Sequence, residues 1–228
     1  MFVIKVGLKA VIFDLGLTLI RTASFPEIYR RILANFDVKV SVEAILKAQK
    51  QTEKEFDVSN YDENKRQKFW TDYNTALIKK LGTKENIVFL ASKIDELWWR
   101  FSHMEVFEEV EPTFSELKSR GLKIGLISNG FQKDLDYVLE ELDLKKWFDS
   151  VVCIDSCNCA KPNKEIFLFA LDQLQVKPNE TVFVGNSIEQ DYDGAFAVGI
   201  RPFLIDREQK HSSQYNKINS LTDLLSIL

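Results

Sequence analysis

From Gly121 onward, short apolar runs alternate with segments of helical period, and this alternation restricts the fold more than any other feature of the chain. Ile124–Ser128, Val151–Asp155, Thr181–Asn186 and Arg201–Ile205 read as strands, with Asp134–Leu144, Lys164–Leu174 and Asp191–Val198 as the helices between them. Parallel strands need long crossovers, usually helical, so this rhythm predicts a parallel sheet with helices on both faces. Lys9–Phe13 supplies a fifth strand, β-branched and aromatic from Ala10 as expected of a strand buried on both sides. Leu221–Leu228 reads as a closing helix.

The stretch from about Ser24 to Phe107 has a different texture. Phe25, Ile28, Tyr29, Ile32, Leu33 and Phe36 recur at helical spacing. Three further sets do the same: Val42, Ile45 and Leu46; then Phe69, Trp70, Tyr73, Leu77 and Leu81; then Ile87, Leu90, Ala91, Ile94, Trp98 and Phe101. Ser41 and Thr83 are suited to N-caps and Gly82 to the residue just past a helix end. A four-helix unit inserted between the first and second strands is the simplest account. The expected division is a core domain of residues 1–22 and 108–228 around a helical domain of residues 23–107.

Composition narrows the class. A chain of 228 residues is long enough to bury a substantial core, and 45% hydrophobic with 28% charged residues is ordinary for a globular protein. A net charge of −4 lacks the basic footprint of a nucleic-acid binder. Ile124–Gln132 is the longest run free of Asp, Glu, Lys and Arg, far short of the ~20 apolar residues of a membrane span. The apolar N-terminus is broken by Lys5, Lys9 and Asp14 and has no small-residue cleavage site, which argues against a leader peptide. Cys153, Cys157 and Cys159 are too few and too clustered for a disulfide framework, and with only His103 and His211 in the chain they read as incidental rather than as a zinc site. A cytoplasmic protein, monomeric or homodimeric, without nucleic-acid or membrane partners is the expectation.

Chemistry-bearing residues collect at strand ends. Asp14 closes the first strand, and Gly16 and Thr18 follow in a tight loop whose backbone N–H groups can face an anion. Ser128 and Asn129 follow the second strand, Lys161 the third, and Asn186 through Asp191 the fourth. In a parallel sheet all four ends lie on one edge, where open α/β folds bind ligands. Singly, each has a plainer reading: a turn at Ser128-Asn129-Gly130, a solvated Lys161, an N-cap at Asp191. Together they offer a carboxylate nucleophile, hydroxyl and amide donors, a cation and a second carboxylate suited to a metal. That set suits displacement at phosphorus through an aspartyl intermediate, with Mg2+ screening Asp14 from the phosphate and Ser128, Asn129 and Lys161 binding its equatorial oxygens.

The ordered strings Phe13-Asp14-Leu15-Gly16-Leu17-Thr18-Leu19, Ile127-Ser128-Asn129-Gly130, Lys161-Pro162 and Val184-Gly185-Asn186-Ser187-Ile188-Glu189-Gln190-Asp191 resemble the four motifs of the haloacid dehalogenase superfamily of hydrolases. The resemblance covers nearly the whole chain. It implies a Rossmann-like α/β core with a helical C1 cap that selects substrate, and a small phosphorylated molecule as that substrate. It implies Asp14 as nucleophile and Lys161 as the cation that stabilises the intermediate. Ser128, with Asn129, Gly130 and Thr18, would bind phosphate. Mg2+ would be held by Asp14, the Gly16 carbonyl, Asn186 and Asp191.

Two positions depart from the family pattern. The phosphatases of this family usually place a second Asp, the acid and base, where this chain has Gly16, and their fourth motif usually begins Gly-Asp where this chain has Gly185-Asn186. General acid–base catalysis contributes about 10²–10⁴-fold, so poor leaving groups should react slowly. A neutral Asn should weaken Mg2+ binding. Three readings stand: a metal-dependent phosphatase acting on a sugar 1-phosphate, acyl phosphate or anhydride; a metal-independent 2-haloacid dehalogenase; or a binding or regulatory module that kept the fold. The dehalogenase branch usually has an aromatic residue at the Gly16 position and an Asn further along the fourth motif. Arg21, Phe131 and the Trp98-Trp99-Arg100 run are further candidates for substrate contact; a hinge-surface position is an equal reading for Arg21, and a buried core of the helical unit is the plainer one for the Trp98-Trp99-Arg100 run.

Overall fold

The computed structural model describes residues 7–56, 66–83 and 86–228, so residues 1–6, on which part of the leader-peptide argument rests, lie outside it. The chain divides into two compact units, one of Met1–Arg21 with Glu105–Leu228 and the other of Thr22–Met104.

The first unit is built on a six-stranded sheet. In chain order its strands are β1 (Ala10–Phe13), β4 (Lys123–Ile127), β5 (Ser150–Val152), β6 (Thr181–Gly185), β7 (Arg201–Ile205) and β8 (Lys217–Ile218). β2 (Ile20–Arg21) and β3 (Glu105–Val106) form a separate antiparallel pair. The spatial order is β5-β4-β1-β6-β7-β8, and every pairing within this sheet is parallel. β1 is therefore the switch point: the chain winds outward on its β4 side and then outward again on its β6 side. Every residue of β1 is buried, which matches its continuous apolar run. Helices over Val110–Ser119, Gln132–Glu141, Lys164–Leu174 and Leu221–Ile227 flank the sheet. Ile166, Phe167, Ala170, Leu171 and Leu174 of one helix pack against Ala10, Ile12 and Phe183 of the sheet. Each such large apolar side chain contributes about 1.5–3 kcal/mol by leaving water.

Several elements correct the sequence reading. The sheet has six strands, not five, because β8 spans two residues, too few for a period-two pattern to register. β4, β5 and β6 end before the polar residues first assigned to them, and that releases Ser128 and Asn186 from the ladder. Beyond β5, Cys153 starts a short helix over Ile154–Cys157. The helix expected over Asp191–Val198 is a π-helical turn at Ile188–Asp193 followed by a short α-helix at Gly194–Ala197. Cys157 and Cys159 are joined by a disulfide across a single residue, while Cys153 is free and buried, so the three are not equivalent. Among the described residues no helix is long and apolar enough to cross a membrane.

Among the described residues the second unit contains α1 (Phe25–Ala34), α2 (Val42–Thr52), α3 (Arg66–Leu81) and α4 (Ile87–Phe101). Ser41 caps α2 by accepting from the Ala44 N–H, and Gly82 ends α3 at φ +69°. The start of α4 is capped by Asn86, not Thr83; the Asn86 side chain accepts from the Phe89 N–H. Phe25 stacks against Tyr29 and Trp98, with centroids at 4.7 and 5.1 Å, so Trp98 belongs to the packing of this unit. The buried Tyr29 hydroxyl donates to Asn74, whose Nδ2 donates to the Ala91 carbonyl at 3.4 Å, so both buried polar side chains are satisfied.

Candidate active site

The switch point at β1 gathers the strand ends into one place. Asp14 follows β1 directly, and its N–H still donates to the Val184 carbonyl at 2.9 Å, which holds it in line with the sheet. Ser128 follows β4 and donates its N–H to the Val152 carbonyl. Lys161 arrives from the loop after β5, and Asp191 from the π-helical turn after β6. All four are buried.

Lys161 is the centre of the arrangement. Its Nζ donates to Asp14 Oδ1 and to Asp191 Oδ1, each at 2.6 Å. The Asn129 amide brackets the same residue from behind: its Oδ1 accepts from the Lys161 N–H at 2.7 Å, and its Nδ2 donates to the Lys161 carbonyl at 3.0 Å. Burial alone would push the Lys161 pKa down, but attraction to Asp14 and Asp191 outweighs it and raises the value above the ordinary lysine range. Asp191 moves upward too, through burial and then through the neighbouring charge of Asp14. Two carboxylates thus share one ammonium, and the cluster keeps one uncompensated negative charge.

Asp191 is fixed on both oxygens. Oδ1 takes Lys161, and Oδ2 accepts from the Ser187 N–H at 2.9 Å. Its closeness to β6 explains Gly185: a Cβ there would lie 2.4 Å from Asp191 Cγ. Thr18 has no exposed surface, and its hydroxyl donates to Asp14 Oδ2 at 2.9 Å. Ser128 Oγ accepts from the Gly130 N–H at 3.1 Å, a turn that presents the start of the next helix. Phe131 is buried and immediately precedes that helix.

Asn186 completes the set. In one amide orientation its Oδ1 lies 2.9 Å from the Gly16 carbonyl oxygen and 3.2 Å from Asp14 Oδ2; in the other, Nδ2 donates to both across the same distances. With the amide nitrogen on that side, hydrogen bonds alone satisfy the three groups; with the oxygen there, three oxygens repel one another unless a cation lies among them. An octahedral Mg2+ with oxygens at about 2.1 Å has adjacent oxygens about 3 Å apart, so this donor set fits a hard divalent cation. The residual negative charge of the cluster favours one as well. Asp191, expected among the metal ligands, instead turns both oxygens to Lys161 and Ser187. Gly16 is exposed, and a Cβ at that position would meet nothing within 4 Å.

Residues 8–199 match a family model described as haloacid dehalogenase-like hydrolase. The chain is 28% identical over 234 residues to the glyceraldehyde 3-phosphate phosphatase of Methanothermobacter thermautotrophicus, covering 97% of this chain and 100% of the relative. It is 27% identical to (S)-2-haloacid dehalogenase 4A of Burkholderia cepacia, over 97% of this chain and 95% of the relative. Among solved structures it resembles a phosphatase of the same family from Thermococcus onnurineus, with a TM-score of 0.65 at 23% identity, covering 96% of this chain and 97% of that one.

Proposed function

The chain belongs to the haloacid dehalogenase-like hydrolases, and from that premise we propose that it is a Mg2+-dependent phosphatase of a small phosphorylated metabolite, working through an aspartyl intermediate on Asp14. The observation that carries the proposal is the pair of 2.6 Å contacts from Lys161 to Asp14 and Asp191 at the carboxyl edge of the sheet.

In this reading an Asp14 oxygen attacks phosphorus, the bond from phosphorus to the leaving oxygen breaks, and water then hydrolyses the aspartyl phosphate to regenerate the carboxylate. Lys161 offsets the repulsion between carboxylate and phosphate and stays protonated throughout. Thr18 orients the nucleophile through its hydroxyl bond to Asp14. Asn129 acts through Lys161, whose backbone it brackets. The Ser128 hydroxyl, whose oxygen accepts from the Gly130 N–H, would donate its own proton to the incoming oxyanion. Asp14, the Gly16 carbonyl and Asn186 would hold Mg2+, with Asp191 steering Lys161. The metal would supply a second positive charge beside the nucleophile.

Gly16 points to leaving groups that depart with little protonation, such as a sugar 1-phosphate, an acyl phosphate or an anhydride. The helical unit inserted after the first motif is read as the cap that selects among them. Displacement of halide needs no metal, so a divalent cation held by Asp14, the Gly16 carbonyl and Asn186 would favour the phosphatase over the dehalogenase reading. A screen of phosphorylated metabolites and 2-chloro acids, each with Mg2+ and with EDTA, tests this. Phosphate release that EDTA suppresses is expected. Turnover of chloro acids that EDTA leaves untouched, or no turnover of any compound, would overturn it.

A further inference from the structure

Arg207 lies just past the carboxyl end of β7 and reaches the turn that follows Asp14. Its Nη1 donates to the Leu17 carbonyl at 2.7 Å and its Nη2 to the Thr18 carbonyl at 2.8 Å. Nε and Nη2 also donate to Glu109 Oε1 at 3.1 and 2.8 Å, and the guanidinium stacks over Phe107, 3.7 Å from the ring centroid. With its charge met by Glu109 and its fork occupied by two carbonyls, Arg207 is not equipped to bind a substrate anion.

Backbone bonds from the Leu17 N–H to the Ile20 carbonyl at 2.7 Å and from the Leu19 N–H to the Leu15 carbonyl at 2.8 Å close the turn, and Arg207 adds a hold on its two outward carbonyls. Leu17 is a non-glycine residue at φ +59°, a backbone conformation that L side chains disfavour, and its side chain is 56% exposed, so burial does not hold it there. The next residue, Thr18, sends its hydroxyl to Asp14 Oδ2. Fixing these two successive carbonyls fixes the peptide planes on either side of Thr18, and with them the direction in which its side chain leaves the backbone.

We infer that Arg207 is a positioning residue: it clamps the Leu17–Thr18 turn so that the Thr18 hydroxyl stays on the Asp14 carboxylate. The catalytic consequence rests on the phosphatase reading above; the clamp itself does not. Glu109 and Phe107 hold the guanidinium in its plane. Lysine would keep the charge but lose the two-carbonyl fork.

The test combines two readouts on the wild type, R207A, R207K and E109Q. Amide exchange followed by mass spectrometry across residues 15–20 should quicken in R207A and R207K and to a lesser degree in E109Q. Steady-state hydrolysis of p-nitrophenyl phosphate with Mg2+ should show kcat reduced between about 10- and 100-fold in R207A, as expected for a displaced catalytic group. KM should stay within about twofold. Added methylguanidinium should restore part of the R207A rate and none of the R207K rate. Unchanged exchange in R207A, or a loss lying wholly in KM, would overturn the inference. If R207A does not fold, E109Q decides on the same two readouts, and no change in its exchange would overturn the clamp. A wild type inactive on all phosphate esters would remove the phosphatase reading, while the exchange measurement would still decide whether Arg207 holds the turn.

Discussion

The Lys161 ammonium meets the Asp14 carboxylate at 2.6 Å across 147 residues of sequence, and both are buried. The contact unites the loop after β5 with the end of β1, two segments whose strands are separated in the sheet by β4. Removing the cation leaves two buried carboxylates facing each other. K161M should therefore cost stability, by about 3–5 kcal/mol if both stay ionised and less if one takes up a proton. Turnover should be lost with it. Urea unfolding beside a steady-state assay checks both, and a K161M variant as stable as the wild type would show that the carboxylates do not depend on this lysine.

Asp14 shares the Lys161 ammonium with Asp191, and in the proposed reaction it is the nucleophile. D14N should lower turnover by at least about 10³-fold, the scale seen when a nucleophile is removed. The fold should be at least as stable, because one excess buried negative charge disappears and Lys161 keeps Asp191. The Asp191 carboxyl, raised partly by the charge of Asp14, should fall toward its ordinary value. Thermal melts with carboxyl-carbon NMR on D14N report these changes, and surviving turnover would remove Asp14 from the mechanism.

Gly16 leaves open space where a side chain could stand. G16D should fold normally and add a carboxyl beside the nucleophile. Hydrolysis of alkyl phosphates should rise by up to about 10²–10⁴-fold, and that of activated esters far less, because only the former need a proton on the leaving group. Rates on a matched pair of substrates distinguish this from a general gain. Equal acceleration on both would mean that protonation is not what the wild type lacks.

Asp206 sets a pH dependence of stability. Although burial works against ionisation, the Lys217 ammonium and the N–H groups of His211 and Lys210 hold its carboxyl down at about 2. A carboxyl depressed in the folded state stabilises it fully above its ordinary value of 3.8, and that stabilisation disappears as the pH falls toward 2. D206N should flatten the melting-temperature profile between about pH 4 and pH 2 relative to the wild type. Because Asp206 precedes Arg207, it should also quicken exchange in residues 15–20. Identical profiles for the two proteins would assign the acid sensitivity elsewhere.

Much of the site was legible in the chain because each residue sits at the end of a strand-like run. Asp14, Ser128, Lys161 and Asp191 needed only a parallel sheet to bring them to one edge. Other features left no local trace. β2, β3 and β8 are two residues each, too short for any period. Thr18 reads as an anion-facing loop residue until its complete burial turns the hydroxyl onto Asp14. Arg207 looks like any surface arginine, since its partners lie 98 and 190 residues away in sequence. For Asn186, the sequence predicts a weak ligand, while the fold adds a second option, in which the same amide donates to Gly16 and Asp14.

By itself, then, the sequence determined the layered α/β architecture, the inserted helices and the place of Asp14 at the end of the first strand, because hydrophobic period and motif order are properties of neighbouring residues. Only the tertiary structure decided the order of strands about β1, the division of Asp191 between Lys161 and Ser187, and the grip of Arg207 on the Leu17–Thr18 turn. Those depend on hydrogen bonds of about 3 Å between residues far apart in the chain. Such distances are fixed by how the sheet closes and not by what any single segment prefers.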